Sequence, residues 1–272
     1  MSRALKIPKL TNPLSRAPKV DSQLEDVFEE MTLAEHLDEL RSRIVKVCIS
    51  VGVAFIAGIF LATPMLRLIK HTADVPSFDM NEVTEGITDF FKTALYIAVA
   101  FALPVILYQA FAFISPGLTR KEKRLIFSSL PFAIVLFFMG AAFAFFVAIP
   151  KAFQFLSSFH RDLFDFSPTF GSVLSFYMQV TIGMGLAFEL PIFMYLLARL
   201  GMVGPTRWSK SRRYAAVIVL IAAAVITPTP DPFNMMIVAI PIYIIFEVGI
   251  VFARIGFRRH ATNSLRDEAA PA

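Results

Sequence analysis

Gly183-Met-Gly-Leu-Ala-Phe188-Glu189-Leu-Pro191 lies inside an almost unbroken apolar run, Ser172 to Leu200, in which Glu189 is the one carboxylate. A run of that length with so few charges reads as a membrane-spanning helix. An ionisable side chain deep in such a helix costs about 3 kcal/mol on insertion scales, so it usually faces protein or water and marks a functional path. Pro191 follows almost at once, and a proline frees a backbone carbonyl and kinks a helix. Glu189 is therefore the first candidate site residue. The alternative for it is a protonated carboxyl hydrogen-bonded to a neighbouring helix.

The whole chain has the same character. Of 272 residues, 56% are hydrophobic, 17% are charged and 29 are Phe, against about 25% charged in a soluble domain. This is an all-α, polytopic membrane protein. The single cysteine, Cys48, sits in an apolar segment and cannot form an intrachain disulfide. The net charge of +5 is distributed like membrane topology, with no basic stripe interleaved with aromatics, so a nucleic-acid partner is not indicated.

Outward from the central stretch, the apolar segments predict six spans at about 44–62, 90–114, 125–149, 172–200, 214–226 and 233–253. Thr63-Pro64 is expected to end the first and Pro150 the third. The segment from Met65 to Asp89 and that from Lys151 to Phe170 read as loops on the far side. The fifth span is only 13 residues long, so it is either re-entrant or thins the bilayer; a short hairpin through Thr227-Pro228-Thr229-Pro230-Asp231-Pro232 is the preferred reading. Residues 1–30 read as a disordered tail, 31–254 as the membrane domain and 255–272 as a second tail. Thr32 and Glu35 form a capping-box pattern that opens a helix whose Leu33, Leu37, Leu40 and Ile44 make an apolar stripe, expected to lie at the membrane surface.

Cations set the orientation. Arg41 and Arg43, then Arg120 to Arg124, then Arg199 to Arg213, then Arg254 to Arg266 crowd one side, whereas Arg67, Lys70, Lys92, Lys151 and Arg161 are spread over the other. The positive-inside rule places both termini in the cytoplasm. Glu39 and Glu122 then share the cytoplasmic side, where each could take a guanidinium in a bidentate pair that a lysine would fit less well. Alternatively, Glu39 pairs with Arg43 four residues on, and Glu122 only balances the cations of its own helical turn.

His36-Leu37-Asp38-Glu39-Leu40-Arg41-Ser42-Arg43, Phe113-Ile-Ser-Pro116-Gly117-Leu118 with Glu122, Phe188-Glu189-Leu190-Pro191, Thr229-Pro230-Asp231-Pro232-Phe233, and Ile240-Pro241 with Phe246-Glu247 together resemble the signature of the TatC family, in order from about Thr32 to Arg254. TatC is the multi-span subunit of the twin-arginine translocase, which exports folded proteins across the bacterial cell membrane on the proton-motive force. The resemblance implies a curved, glove-like bundle whose cytoplasmic surface receives the paired arginines of a signal peptide. It assigns that pair to Glu39 and Glu122, supported by Arg41, Phe113 and Leu118. It makes Glu189 the intramembrane residue near docked partners or the inserted signal hairpin, and matches Lys92 and Asp231 to positions in the far-side loops. Implied partners are single-span TatA- or TatB-type subunits, signal peptides, the lipid bilayer and further copies of the chain. No cofactor or metal is implied. Met235 departs from the family, which often has Gln there, so methionine packing replaces a polar contact.

Two other classes fit less well. A proton-coupled transporter would need more ionisable groups at the midplane than Glu189. An intramembrane protease would need a nucleophile and base or a metal motif, yet His36, His71, His160 and His260 all fall outside the spans; no catalytic residue is assigned, and the chain reads as a non-enzyme.

Overall fold

A computed structural model of the chain describes residues 33–73, 84–159, 168–227 and 231–268. Among them the polypeptide is helical, with no β-strand. The elements are α1 Leu33–Ala73, α2 Glu85–Ile114, a 3-10 turn Ser115–Gly117, α3 Arg120–Phe143, a π-helical turn Ala144–Ala148, α4 Ile149–Ser158, α5 Phe170–Ala187, α6 Leu190–Arg199, α7 Pro205–Lys210, α8 Arg212–Ile226 and α9 Pro232–Glu268. Five stretches are long and apolar enough to cross a membrane: Ala34–Ala73, Glu85–Gly117, Arg120–Ser158, Phe170–Arg199 and Pro232–Arg259. α8 has 15 residues. That is about 22 Å of helix, short of a hydrocarbon core of about 30 Å.

The helices overrun several expected boundaries. Thr63-Pro64 does not end the first helix, which carries Pro64 in its interior and runs on to Ala73. Proline removes one helical hydrogen bond, and the burial of Ala62, Ile69 and Ala73 against the rest of the bundle holds the chain helical past it. The amphipathic segment from Leu33 to Arg43 is likewise no separate surface helix but the first turns of α1, because no breaker separates it from the apolar run. Pro150 does not end the third span either: α3, the π turn and α4 run on as one helical stretch from Arg120 to Ser158, and the π turn just before Pro150 takes up its missing N–H. α2 begins at Glu85, so Glu85 to Asp89 are helical rather than loop. α9 continues beyond Arg254 to Glu268, through much of the expected tail. The tail at 1–30, Thr32 of the capping box, and the far-side and Pro-rich loops at 74–83, 160–167 and 228–230 lie outside the described residues.

α5 is the centre of the bundle. Val173, Leu174, Phe176, Tyr177, Met178, Val180 and Met184 are all buried, and they pack with Ile69 of α1, Ile149 and Phe153 of α4, Val219 and Ala223 of α8, and Val238 and Ile242 of α9. A smaller cluster joins Met194 and Ala198 of α6 to Ala215 of α8 and Phe246, Ile250 and Ala253 of α9. Two close approaches set the spacing. Gly58 lets α1 meet the backbone of α2 so tightly that a methyl group there would overlap the Ala94 carbonyl. At Gly140 of α3 a Cβ would stand 2.6 Å from Phe188 Cγ and 2.7 Å from the Met184 carbonyl oxygen. Ile49, Val53, Ile56 and Phe60 of α1, with Val217, Ile218 and Ile221 of α8, are exposed, the outward apolar belt of a protein solvated by lipid.

Candidate functional site

α1 and α2 run antiparallel, so the start of α1 meets the end of α2, and the short Ser115–Gly117 turn brings the start of α3 to the same end of the bundle. There, Arg43 donates through Nε to Glu39 Oε1 at 2.9 Å and makes a second, short contact to the same oxygen through Nη2, while its Nη1 donates to Gln109 Oε1 of α2 at 3.1 Å. One turn earlier the His36 ring stacks on Phe113, with centroids 4.3 Å apart and planes inclined by 21°. Its Nδ1 lies 3.8 Å from Glu39 Oε2. That oxygen is buried and has no hydrogen-bond partner among the described residues. The Glu39 side chain is 15% exposed overall, so the carboxylate sits in a shallow recess rather than free on the surface.

Leu118, half-buried and extended, ends the turn and donates its N–H to the Ser115 carbonyl at 3.1 Å. Thr119 then caps α3 in a complete capping box. Glu122 Oε2 accepts from Thr119 N at 2.8 Å and Oγ1 at 2.9 Å, and the Glu122 N–H donates back to Thr119 Oγ1 at 3.4 Å. The local pairing foreseen for Glu39 forms, with one oxygen spent on Arg43, whereas Glu122 spends one oxygen on Thr119 at its own helix start rather than on the cations of its turn. The structure thus gathers Glu39, Phe113, Leu118 and Glu122 at one end, and leaves Arg41 exposed on another face of α1.

Glu189 stands at the break between α5 and α6, and Phe188 beside it is seated on Gly140 of α3. Pro191 cannot donate to the preceding turn, so the helix resumes at Leu190 with a kink. Glu189 Oε1 is buried without a hydrogen-bond partner among the described residues. Among the described residues it forms no ion pair.

At the opposite end, Lys92 lies 3.6 Å from Asp89 Oδ1. Asp89 is 2% exposed and faces the first turn of α5, and Glu85 Oε1 accepts the Gly171 N–H at 3.2 Å. Asp231 caps α9, its Oδ1 accepting from Asn234 N at 2.7 Å and its Oδ2 from Asn234 Nδ2 at 2.9 Å. Met235 packs against the main core. Sequence reading missed the Glu85–Asp89 carboxylates, whose i, i+4 spacing just before an apolar run was the available signal. It also left Arg212 and Glu247 unpaired. They form a bidentate bridge between α8 and α9, with both hydrogen bonds at 2.8 Å, which an antiparallel hairpin of these two helices would have suggested.

Long apolar helices with an outward hydrophobic belt, a carboxyl at the break between α5 and α6 and carboxylates gathered at one end define a multi-pass α-helical membrane protein. The family model for the Sec-independent protein translocase protein TatC matches residues 35–241. The chain belongs to the TatC family, and so is a component of a protein translocase rather than an enzyme. It is 35% identical over 242 residues to the Sec-independent protein translocase protein TatCy of Bacillus subtilis, covering 88% of this chain and 94% of that one. With TatC of Escherichia coli K12 it shares 34% identity over 233 residues, 84% of this chain and 90% of the relative. The crystal structure of the twin-arginine translocase receptor TatC superposes with a TM-score of 0.72 at 30% identity, covering 82% of this chain and 99% of that one. A second crystal structure of that receptor, in DDM, gives 0.73.

Proposed function

We propose that this chain is the receptor subunit of a twin-arginine translocase, binding the arginine pair of a signal peptide with Glu39 and Glu122 at the cytoplasmic end of the bundle. The observation that carries this reading is the recess at that end. A carboxylate oxygen of Glu39 is buried, unpartnered among the described residues and set beside an aromatic pair, and Glu122 opens the helix that follows from Phe113 and Leu118. A buried acceptor left unsatisfied costs about 1–3 kcal/mol, which an incoming donor recovers. The cation distribution supports a six-span topology in the bacterial cytoplasmic membrane with both termini inside, α8 being the short span. Partners in this reading are single-span TatA- or TatB-type subunits and further copies of the chain, and the driving force is the proton-motive force.

The test is binding of a labelled twin-arginine signal peptide to the full-length protein in detergent, beside the same peptide with a lysine pair. At least tenfold tighter binding of the arginine peptide is expected, because only a guanidinium offers the planar fork that two carboxylates and an aromatic face select. Equal affinities with a folded protein would refute the receptor reading.

Glu189 has a different role in this scheme, inside the membrane, where the signal hairpin or a single-span partner passes. Glu189→Leu is expected to leave peptide affinity within about twofold while reducing transport by more than tenfold, since the variant removes a buried acceptor far from the surface recess. Normal transport by Glu189→Leu in reconstituted membranes would strip Glu189 of that role.

A further inference from the structure

Resting on the receptor reading, we infer that one guanidinium of the arginine pair binds in the slot now filled by the His36 ring, stacked on Phe113 and donating to Glu39 Oε2. His36 is then a displaceable placeholder, and it sets how readily the recess opens.

Three observations converge on this slot. First, Glu39 is held from one side only. Arg43 takes Oε1 with two donors and is itself tied to Gln109 of α2, which holds Oε1 toward Arg43 and leaves Oε2 on the His36 side. Second, Oε2 is covered although none of the described residues bonds to it. His36 Nδ1, at 3.8 Å, stands outside hydrogen-bond range, yet the atom has no exposed surface. Third, the cover is a flat, cation-capable ring lying nearly parallel to Phe113. A guanidinium laid on the same face would keep the stacking contact and bring an N–H fork to the unsatisfied oxygen. An ammonium group gains far less from the aromatic face and has no plane to lay on it.

The cover is also free to leave. The His36 side chain is 42% exposed and makes no hydrogen bond among the described residues, whereas Arg43 is anchored at both ends. Exchanging His36 for an incoming arginine breaks one ring stack and forms another, with an added charge-assisted hydrogen bond. Arg43 and Gln109 act as positioning residues, since they touch Glu39 and not the incoming group.

The experiment uses the full-length protein in detergent with labelled twin-arginine and twin-lysine signal peptides. His36→Ala removes the occupant, and it is expected to bind the arginine peptide at least threefold tighter with a smaller gain for the lysine peptide. His36→Trp, a larger ring on the same face, is expected to weaken arginine binding by a similar factor. The gain of His36→Ala should vanish in the His36→Ala, Glu39→Gln double variant. Independently of any variant, the His36 ring-proton resonance, shifted upfield by Phe113, should move toward its solvent position when the arginine peptide is added.

Unchanged or weaker arginine binding by His36→Ala, an equal gain for both peptides, or a His36 resonance that stays shielded in the complex would each overturn the placeholder. If Glu39→Gln alone abolishes the arginine preference while the His36 variants bind as the unsubstituted protein does, the receptor reading stands and only this inference fails. If Glu39→Gln and His36→Ala each bind both peptides with the affinities of the unsubstituted protein, both readings fall.

Discussion

Glu39→Gln is expected to weaken binding of a twin-arginine signal peptide by about ten- to a hundredfold. Hydrogen bonds to a charged group contribute about 1.5–3 kcal/mol, and about 1.4 kcal/mol is a factor of ten in affinity. The substitution isolates that charge because little else changes. Glutamine has the same length, its amide oxygen can still accept from Arg43, and the Arg43 to Gln109 bond that joins α1 to α2 is kept. Glu122→Gln makes the companion experiment. Glutamine at that position still completes the box with Thr119, so helix α3 keeps its start and any loss of affinity belongs to the peptide. Calorimetric titration of both variants, beside a circular-dichroism check of helix content, decides the matter. An affinity for Glu39→Gln equal to that of the unsubstituted protein would remove Glu39 from the site.

Gly140→Leu should be among the most damaging single changes in the bundle's interior. Even a methyl at this position would stand 2.7 Å from the Met184 carbonyl oxygen, a backbone atom that cannot swing aside, and 2.6 Å from Phe188 Cγ. The leucine must therefore push α5 away from α3 next to the break that carries Glu189. Overpacking of this kind costs about 1–3 kcal/mol, which in a chain of this size is on the order of 10 °C in thermal midpoint at the upper end. Gly52→Leu on α1 is the matched control, since nothing lies within 4 Å of a Cβ there. Thermal unfolding in detergent should show a large drop for the first and almost none for the second. Equal midpoints would mean that α3 and α5 are not seated so closely.

Length and polarity of the apolar runs were enough to read the helical membrane class and the order of its helices, because a span must bury its backbone bonds within itself. Helix ends were less legible. Pro64 and Pro150 read as stops by local rules, but tertiary burial of Ala62 and Ile69 carries one helix through its proline, and a π turn just before the other lets the helix run on through it. The residues proposed for the site came from their resemblance to a family pattern and from the side of the membrane that the cations predict. What that reading could not foresee is how each carboxylate uses its oxygens: Glu39 has one on Arg43 and the other beside the His36 ring without a hydrogen bond, and Glu122 has one on Thr119. Such divisions depend on rotamers and on neighbours such as Gln109, which lies 66 residues from Arg43 in the chain.

Helix α8, with its 15 residues and exposed outer face, also bears on the membrane around it. In the six-span reading proposed above, it would draw the hydrocarbon inward to roughly 22 Å along that flank. The same transmembrane voltage then falls over a shorter distance, and the electric field beside α8 is steeper by roughly a third than elsewhere in the sheet of lipid. A charged segment crossing there meets a thinner insulator and a stronger pull at one place on the protein's perimeter.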